Sequence, residues 1–168
     1  EPALPWTVAD AYLRRLGISS PTLDLGGLTA LHRQHLRQVP FHNLALLGCE
    51  GRDPGLPDIV AVAEDNARGV GGTCHLLTPP FVALLQSVGF DAWLAAADIN
   101  ERGDHFVGIV RINGAHYLTD VGNGHPYDRP WPIDGADHAS CTFGWDFRFQ
   151  PEGGQDGRTH TLLRRLPG

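Results

Sequence analysis

The sequence of 168 residues predicts an α+β fold in which helices come first and antiparallel strands follow. Through the first half of the chain, apolar side chains recur at the spacing of one helix face. The later apolar runs have the length of strands, and Asn113-Gly114 between two of them is the dipeptide most typical of a tight hairpin. We therefore expect a helical lobe over residues 1–90 and an antiparallel β lobe over residues 91–168.

Three helices are predicted ahead of the glycine-rich centre of the chain. The first has Thr7 as its cap, ends at Gly17 and carries four apolar residues at helical spacing, Val8, Tyr12, Leu13 and Leu16. The second ends before Pro40 and carries Leu28, Leu31, Leu36 and Val39. A Gly- and Pro-rich loop is expected from Gly48 to Pro57, and Asp58 then caps a third helix that carries Ile59 and Val62.

A fourth helix is expected to end before Gly89, with Phe81, Leu84, Leu85 and Val88 as its apolar residues. Two prolines limit where it can begin, because a proline inside a helix leaves the carbonyl four residues earlier without a donor. Thr78 as the cap and Pro79 as the first helical residue satisfy this limit. The residues around Cys74 are then expected to form a short irregular turn.

Three strands are predicted after this helix, over Ala92–Ile99, His105–Ile112 and Ala115–Val121. The Pro- and Gly-rich residues that follow, as far as Asp137, are expected to form a loop. Weaker strand patterns run over Thr142–Phe149 and Thr159–Arg165.

The hairpin predicts that a histidine and an aspartate share one face of the sheet. If Asn113 and Gly114 are the two turn residues, the antiparallel register places His105 opposite Gly122. Asp120 is two residues from Gly122 and so points to the same face as His105, with the backbones roughly 7–8 Å apart. A carboxylate beside an imidazole fixes its tautomer and stabilises the imidazolium. A chance pairing is the alternative, because the chain has nine histidines.

The charge and cysteine content exclude several classes of protein. A formal net charge of -6 gives no basic face for a nucleic acid, although a local cluster of the arginines can still bind phosphate. No apolar stretch is long enough to span a membrane. The three cysteines, Cys49, Cys74 and Cys141, are an odd set and too few for a disulfide framework, which favours reduced thiols in a cytoplasmic protein.

Cys74 is the candidate nucleophile. It follows the segment Gly69–Thr73, whose glycines would allow a substrate to approach the backbone closely. A thiol at the start of a helix gains from the positive end of the helix dipole, which favours the thiolate. The alternative is that Cys74 is a small buried apolar residue, and this alternative applies more strongly to Cys49 and Cys141.

Four segments together resemble the arylamine N-acetyltransferase family. They are, in chain order, Val39-Pro40-Phe41-His42-Asn43-Leu44, Gly71-Gly72-Thr73-Cys74, His105 at the head of a strand, and Asp120-Val121-Gly122-Asn123-Gly124. Each segment is weak evidence alone, but their order and spacing match the family from about Tyr12 to Gly124, which is most of the chain.

The resemblance implies a double-displacement acyl transfer in which Cys74 carries the acyl group, His105 transfers protons and Asp120 orients His105. It implies acetyl-CoA or another acyl thioester as co-substrate, an aromatic amine, hydrazine or hydroxylamine as acceptor, and neither a metal nor a permanently bound cofactor. It also implies a helical bundle followed by a β-barrel, with a core like that of cysteine proteases and transglutaminases. The residues expected to contact substrate are Phe41, Gly72, Thr73, Phe106 and Asn123.

The sequence departs from the family pattern near the nucleophile. Val70 stands where the family usually has an arginine. His75, which we expect to face solvent, and Leu76-Leu77 replace the usual acidic or amide residue and asparagine. The chain also ends near where the family's third domain would develop, so we expect a short, divergent member for which an acyl carrier protein is an alternative donor.

Three other functions remain open. A cysteine hydrolase or an amide synthase would use the same three residues with a different acceptor. A metal site would use Cys74, His75, His105 and Asp120 as ligands, although no paired ligand spacing supports it. A non-catalytic relative would bind a small molecule without turnover. His32 and His35 share a helix face, and we expect them to be exposed or at the edge of the core.

Overall fold

The computed structural model describes residues 3–47, 57–123, 128–134, 138–142, 145–151 and 160–165. The helices are α1 (Trp6–Leu16), α2 (Leu25–Gln38), α3 (Leu44–Leu47), α4 (Ile59–Arg68) and α5 (Cys74–Ser87). The strands are β1 (Asp91–Ala97), β2 (His105–Ile112), β3 (Ala115–Thr119), β4 (Trp131–Pro132), β5 (His138–Thr142), β6 (Trp145–Pro151) and β7 (His160–Arg165). The α+β prediction is confirmed, whereas the division into lobes at residue 90 stays a prediction.

The first three predicted helices are confirmed, with one change at a cap. Helix α1 begins after Pro5, so Thr7 lies inside the helix and is not its cap, and Gly17 ends it with a φ of 70°. Asp24 caps α2 by accepting a hydrogen bond from the backbone N–H of Gly27. Asp58 caps α4 as predicted. Most of the predicted loop over Gly48–Pro57 lies outside the described residues, as does Cys49.

The predicted start of the fourth helix is wrong. Helix α5 begins at Cys74 and continues through Pro79 and Pro80, both of which are buried. Pro80 cannot donate to the carbonyl of Leu76, but the side-chain Nδ2 of Asn66, on α4, donates to that oxygen at 2.9 Å. A donor from a neighbouring helix therefore replaces one of the two backbone bonds that the prolines remove, and the thiol lies at the first position of a helix instead of in an irregular turn.

The predicted hairpin is confirmed together with its register. Strands β2 and β3 pair from Ile112 with Ala115 as far as Gly108 with Thr119. Asn113 and Gly114 both have positive φ, 51° and 83°, as the favoured two-residue hairpin turn requires. Strands β1 and β3 each end two residues earlier than predicted. The end of β3 at Thr119 places Asp120 immediately after the sheet.

The described strands form two sheets that do not close into a barrel. The first sheet has the order β1-β2-β3-β4 and the second has the order β5-β6-β7. Strand β4 lies within the predicted loop, and the predicted strand over Thr142–Phe149 divides between the end of β5 and most of β6. The barrel that the resemblance implied is thus not confirmed in the described part of the chain, and the core similar to that of cysteine proteases stays a prediction.

Helix α5 lies at the centre of the fold, between helices α1 and α4 on one side and strands β1 and β2 on the other. Its side chains from Leu77 to Leu85 are almost fully buried. Burying one such leucine or phenylalanine contributes about 1.5–3 kcal/mol, so the packing fixes the helix firmly. Among the described residues, no helix has both the length and the apolar character needed to cross a membrane.

Candidate active site

Cys74, His105 and Asp120 come from three elements that meet at one end of α5. Cys74 is the first residue of the helix, His105 is the first residue of β2, and Asp120 follows β3. Gly122 permits the contact, because a Cβ at this position would lie 2.7 Å from the Cα of Cys74 and 2.6 Å from the Oγ1 of Thr78. The segment after β3 therefore packs directly against the helix start.

Asp120 holds the ring of His105 with both carboxylate oxygens. The Nε2 of His105 lies 3.1 Å from Oδ1 and 3.0 Å from Oδ2 of Asp120, and the two residues are only 3% and 4% exposed. The carboxylate also accepts hydrogen bonds from the backbone N–H of Gly122 and from the Nδ2 of Asn123, both at 3.1 Å. These bonds fix the carboxylate, and with it the orientation of the imidazole.

The charge state of His105 depends on the balance between burial and its partners. Burial alone lowers the pKa of His105, but hydrogen bonds and charge interactions with Asp120 and Cys74 raise it to about 10. Because Nε2 faces Asp120, Nδ1 is the ring atom available to the thiol. The site is thus built to hold an imidazolium beside the sulfur of Cys74 at the start of a helix.

Asp104 fixes the turn that leads into β2. Its carboxylate accepts hydrogen bonds from three successive backbone N–H groups, those of Ile99, Asn100 and Glu101, at 2.8–3.0 Å. These bonds lower the pKa of Asp104 to about 2. The backbone carbonyl of the same residue lies 3.9 Å from the Sγ of Cys74. The turn therefore holds the start of β2 against the thiol.

The glycine segment before Cys74 pairs with the segment that contains Phe41. The backbone N–H of Gly72 donates to the carbonyl of Pro40 at 3.1 Å, and the N–H of His42 donates to the carbonyl of Gly72 at 2.9 Å. The ring of His42 donates from Nε2 to the carbonyl of Val70 at 2.8 Å and accepts at Nδ1 from the backbone N–H of Leu44 at 3.3 Å. His42 thus holds the glycine segment in place.

The five predicted substrate contacts fall into two groups. Phe41, 49% exposed, lies beside Gly72, and Thr73 occupies the N-cap position of α5 next to the thiol, without a side-chain capping hydrogen bond. Phe106, which is half-buried, and Asn123 lie beside the catalytic candidates, but the amide of Asn123 is used to hold Asp120. The position of each residue fits the predicted role, and the roles themselves stay predictions.

The expectation that His75 only faces solvent is incomplete. The side chain is exposed, but its Nδ1 lies 3.3 Å from the Sγ of Cys74. Its ring packs edge-on against Phe106, with centroids 4.9 Å apart. No local sequence pattern predicts this contact, because neighbouring residues of a helix usually point in different directions.

The expectation that His32 and His35 are exposed or at the core edge is wrong. Both are fully buried on α2. The Nε2 of His32 donates to the backbone carbonyl of Asp120 at 3.3 Å, and the Nε2 of His35 hydrogen-bonds the hydroxyl of Tyr12 at 2.7 Å. Their positions three residues apart, in line with Leu28 and Leu31, were the sequence signal for a buried face.

The metal-site alternative gains no support from the described residues. Within that part of the chain, no group of three or more histidine, cysteine, aspartate or glutamate side chains is arranged to hold a metal ion. Cys74 is a free thiol there, and the side chain of Cys141 lies outside the description.

Sequence comparisons connect this geometry with known proteins. A family model described as N-acetyltransferase matches residues 24–165. The chain is 31% identical over 154 residues to proansamycin X synthase of Amycolatopsis mediterranei, a match that covers 83% of this chain and 56% of that protein. It is 34% identical over 126 residues to the arylamine N-acetyltransferase of Mycolicibacterium smegmatis, covering 67% of this chain and 45% of that one.

The fold agrees with these matches. The solved arylamine N-acetyltransferase of Salmonella typhimurium aligns with a TM-score of 0.78 at 25% identity, covering 95% of this chain and 59% of that structure. The chain spans about half the length of the curated relatives that it matches. Because the family model covers most of the sequence and the fold is shared, the chain belongs to the arylamine N-acetyltransferase family.

Proposed function

We propose that this chain transfers an acetyl or other acyl group from a CoA-type thioester to an aromatic amine, hydrazine or similar nucleophile, through an acyl-cysteine at Cys74. The observation that carries the proposal is the buried pair of His105 and Asp120 beside a thiol at the start of α5. Family membership supports the same chemistry. The donor and the acceptor would be small molecules, with an acyl carrier protein as an alternative donor.

In the first half-reaction, the thiolate of Cys74 attacks the thioester carbonyl carbon. The bond from that carbon to the sulfur of CoA breaks, and the imidazolium of His105 gives its proton to the departing thiolate. Asp120 keeps the ring in the orientation that this transfer needs. The first backbone N–H groups of α5 lack partners within the helix and point toward its start, so they are suited to bind the oxyanion.

In the second half-reaction, the acceptor nitrogen attacks the acyl carbon of the thioester at Cys74. The carbon–sulfur bond breaks, the electron pair returns to sulfur, and neutral His105 takes the proton that the nitrogen loses. The thiolate and the imidazolium are thereby restored. Phe41 and Phe106, one exposed and one half-buried near the thiol, offer apolar faces for an aromatic acceptor.

A second candidate is amide synthesis on a larger substrate. The likeness to proansamycin X synthase supports it, because the same acyl-cysteine could be attacked by an amine of a larger molecule. The two candidate functions differ only in the substrate, because the thiol and the His105–Asp120 pair would do the same chemistry in both cases.

The direct test is to mix the protein with acetyl-CoA and to measure its intact mass, with Cys74→Ala as the control. We expect the mass of one acetyl group, absent from the variant, which retains Cys49 and Cys141. Addition of an arylamine should then discharge the adduct. Release of CoA without an amine would indicate hydrolysis, and no release would exclude acetyl-CoA as the donor and leave a carrier-bound acyl group to be tested.

A further inference from the structure

A second imidazole contacts the sulfur of Cys74. The Nδ1 of His75 lies 3.3 Å from Sγ, which is within hydrogen-bonding range for sulfur. His75 is exposed, whereas His105 is 3% exposed and uses its Nε2 to bind Asp120. The thiol therefore has one histidine partner in the protein interior and another on the side of the solvent.

The ring of His75 packs against a neighbouring ring. It packs edge-on against Phe106, with an angle of 70° between the planes and 4.9 Å between the centroids. Phe106 follows His105 on β2, and His75 follows Cys74 on α5. The contact between these two elements thus sets the orientation of the second imidazole.

The remaining groups near the thiol do not offer it a second hydrogen-bond donor. Asp104 presents its backbone carbonyl to Sγ at 3.9 Å, while its carboxylate is used by the turn before β2. Asp120 acts on the thiol through His105. Among the described residues, the titratable side chains that interact with Cys74 are therefore His105 and His75.

We propose that His75 is a further catalytic residue, which donates a hydrogen bond from Nδ1 to the Cys74 thiolate while His105 transfers protons. The proposal rests on the assignment of Cys74 as the nucleophile. A donor on the thiolate lowers the basicity of the sulfur and makes it a better leaving group. When the acceptor nitrogen displaces the acyl group, the electron pair returns to a sulfur that His75 stabilises, and the released proton goes to His105.

The test is the pH dependence of alkylation of Cys74 by iodoacetamide, measured by peptide mass. His75→Phe keeps a ring against Phe106 and removes the donor. We expect the midpoint of the thiolate titration to rise by about one pH unit, so that alkylation on the acid side slows about threefold, because the more basic thiolate partly offsets its lower population. His75→Asn keeps an N–H close to the position of Nδ1 and should recover at least half of that shift.

His116→Phe is the matched control, because this histidine lies on β3 and hydrogen-bonds Asp134. It should leave the profile unchanged, and thermal unfolding of each variant shows that the fold is kept. An unchanged midpoint in His75→Phe, or equal midpoints in His75→Phe and His75→Asn, would overturn the proposal. Iodoacetamide needs no acyl donor, so a failure of acetyl transfer with a normal His75 effect would count only against the proposed function.

Discussion

Two buried histidines contact the same aspartate, but at neutral pH one imidazole is protonated and the other is neutral. His105 faces the carboxylate of Asp120, and the pKa of its imidazole is raised to about 10. His32 faces the backbone carbonyl of Asp120, and burial lowers its pKa to about 4. Burial opposes the charged form in both cases, so the hydrogen-bond partner determines whether the imidazole is protonated. A carboxylate offsets the cost of burying a cation, and a neutral carbonyl does not.

The comparison separates a reactive region from a supporting one. The charged His105 can give and take a proton at the thiol, whereas the neutral His32 and His35 act as packed polar groups beneath it. Burial, with a smaller contribution from the charge of His32, lowers the pKa of His35 to about 3. The predictions that follow test this separation, beginning with the largest expected effect.

Asp120→Asn should remove the charge that keeps His105 protonated. We expect the pKa of His105 to fall below its ordinary value, because burial is then less opposed, and acyl transfer to slow about a thousandfold, or about 4 kcal/mol in the barrier. The measurements are single-turnover transfer and NMR titration of His105. A variant that retains a raised pKa would show that Asp120 is not the deciding partner.

The two supporting histidines, His32 and His35, should make the fold sensitive to acid. Their pKa values in the folded protein lie below the ordinary histidine value of 6.5, so the unfolded state binds protons first as the pH falls, and stability decreases from about pH 6.5 toward pH 3. At pH 5, His32 and His35 should each lower the free energy of unfolding by about 2 kcal/mol relative to its value at neutral pH.

Replacing one supporting histidine should reduce that sensitivity. The double variant His35→Leu with Tyr12→Phe removes both partners of one hydrogen bond, so no polar atom of that bond is left unpaired. Urea unfolding at pH 7 and pH 5 should show a loss smaller by about 2 kcal/mol than in the unchanged protein. Equal losses in the two proteins would mean that His35 does not contribute to the acid response.

Gly122→Ala should disturb the reactive region alone. The added methyl group would lie within 2.8 Å of Cα and Cβ of Cys74, so the segment after β3 must shift. We expect a destabilisation of about 1–3 kcal/mol and a slower acyl transfer. Calorimetry and transfer rates test this. Wild-type values in both would mean that the segment after β3 can shift without a loss of stability or activity.

Asn66→Ala should give the smallest effect. The asparagine side chain contacts both regions. Asn66 interacts with Tyr12 in the supporting region and donates to the carbonyl of Leu76 near the thiol. We expect a loss of about 1 kcal/mol in thermal unfolding, because that carbonyl loses its donor. Asn43→Ala, at an exposed asparagine, is the control and should change the unfolding midpoint little.

The parts of the fold that the sequence predicts depend on local chemistry. Asn113-Gly114 determines the turn, the turn determines the register of β2 and β3, and the register brings His105 at the start of β2 close to Asp120, just after β3. Asp58 caps the helix that follows it. In each case the information lies within a few residues of the element.

The parts that sequence analysis missed depend on residues far apart in the chain. The continuation of α5 through Pro80 needs a side-chain donor from Asn66 on another helix. The short strand β4 is defined by its pairing with Tyr117 and Leu118 and not by its own two residues. The contact of His75 with the thiol needs the ring of Phe106 beside it. No local pattern contains this information.

The central position of α5 has a consequence for motion. The helix carries the thiol at one end, and at the other end Ser87 accepts a hydrogen bond from the backbone N–H of Leu4 at 2.7 Å. Because both faces of the helix are covered beyond its first turn, the amide protons of Phe81–Leu85 should exchange with solvent only when the whole domain opens. The thiol therefore lies at one end of a helix whose buried part is expected not to unfold locally.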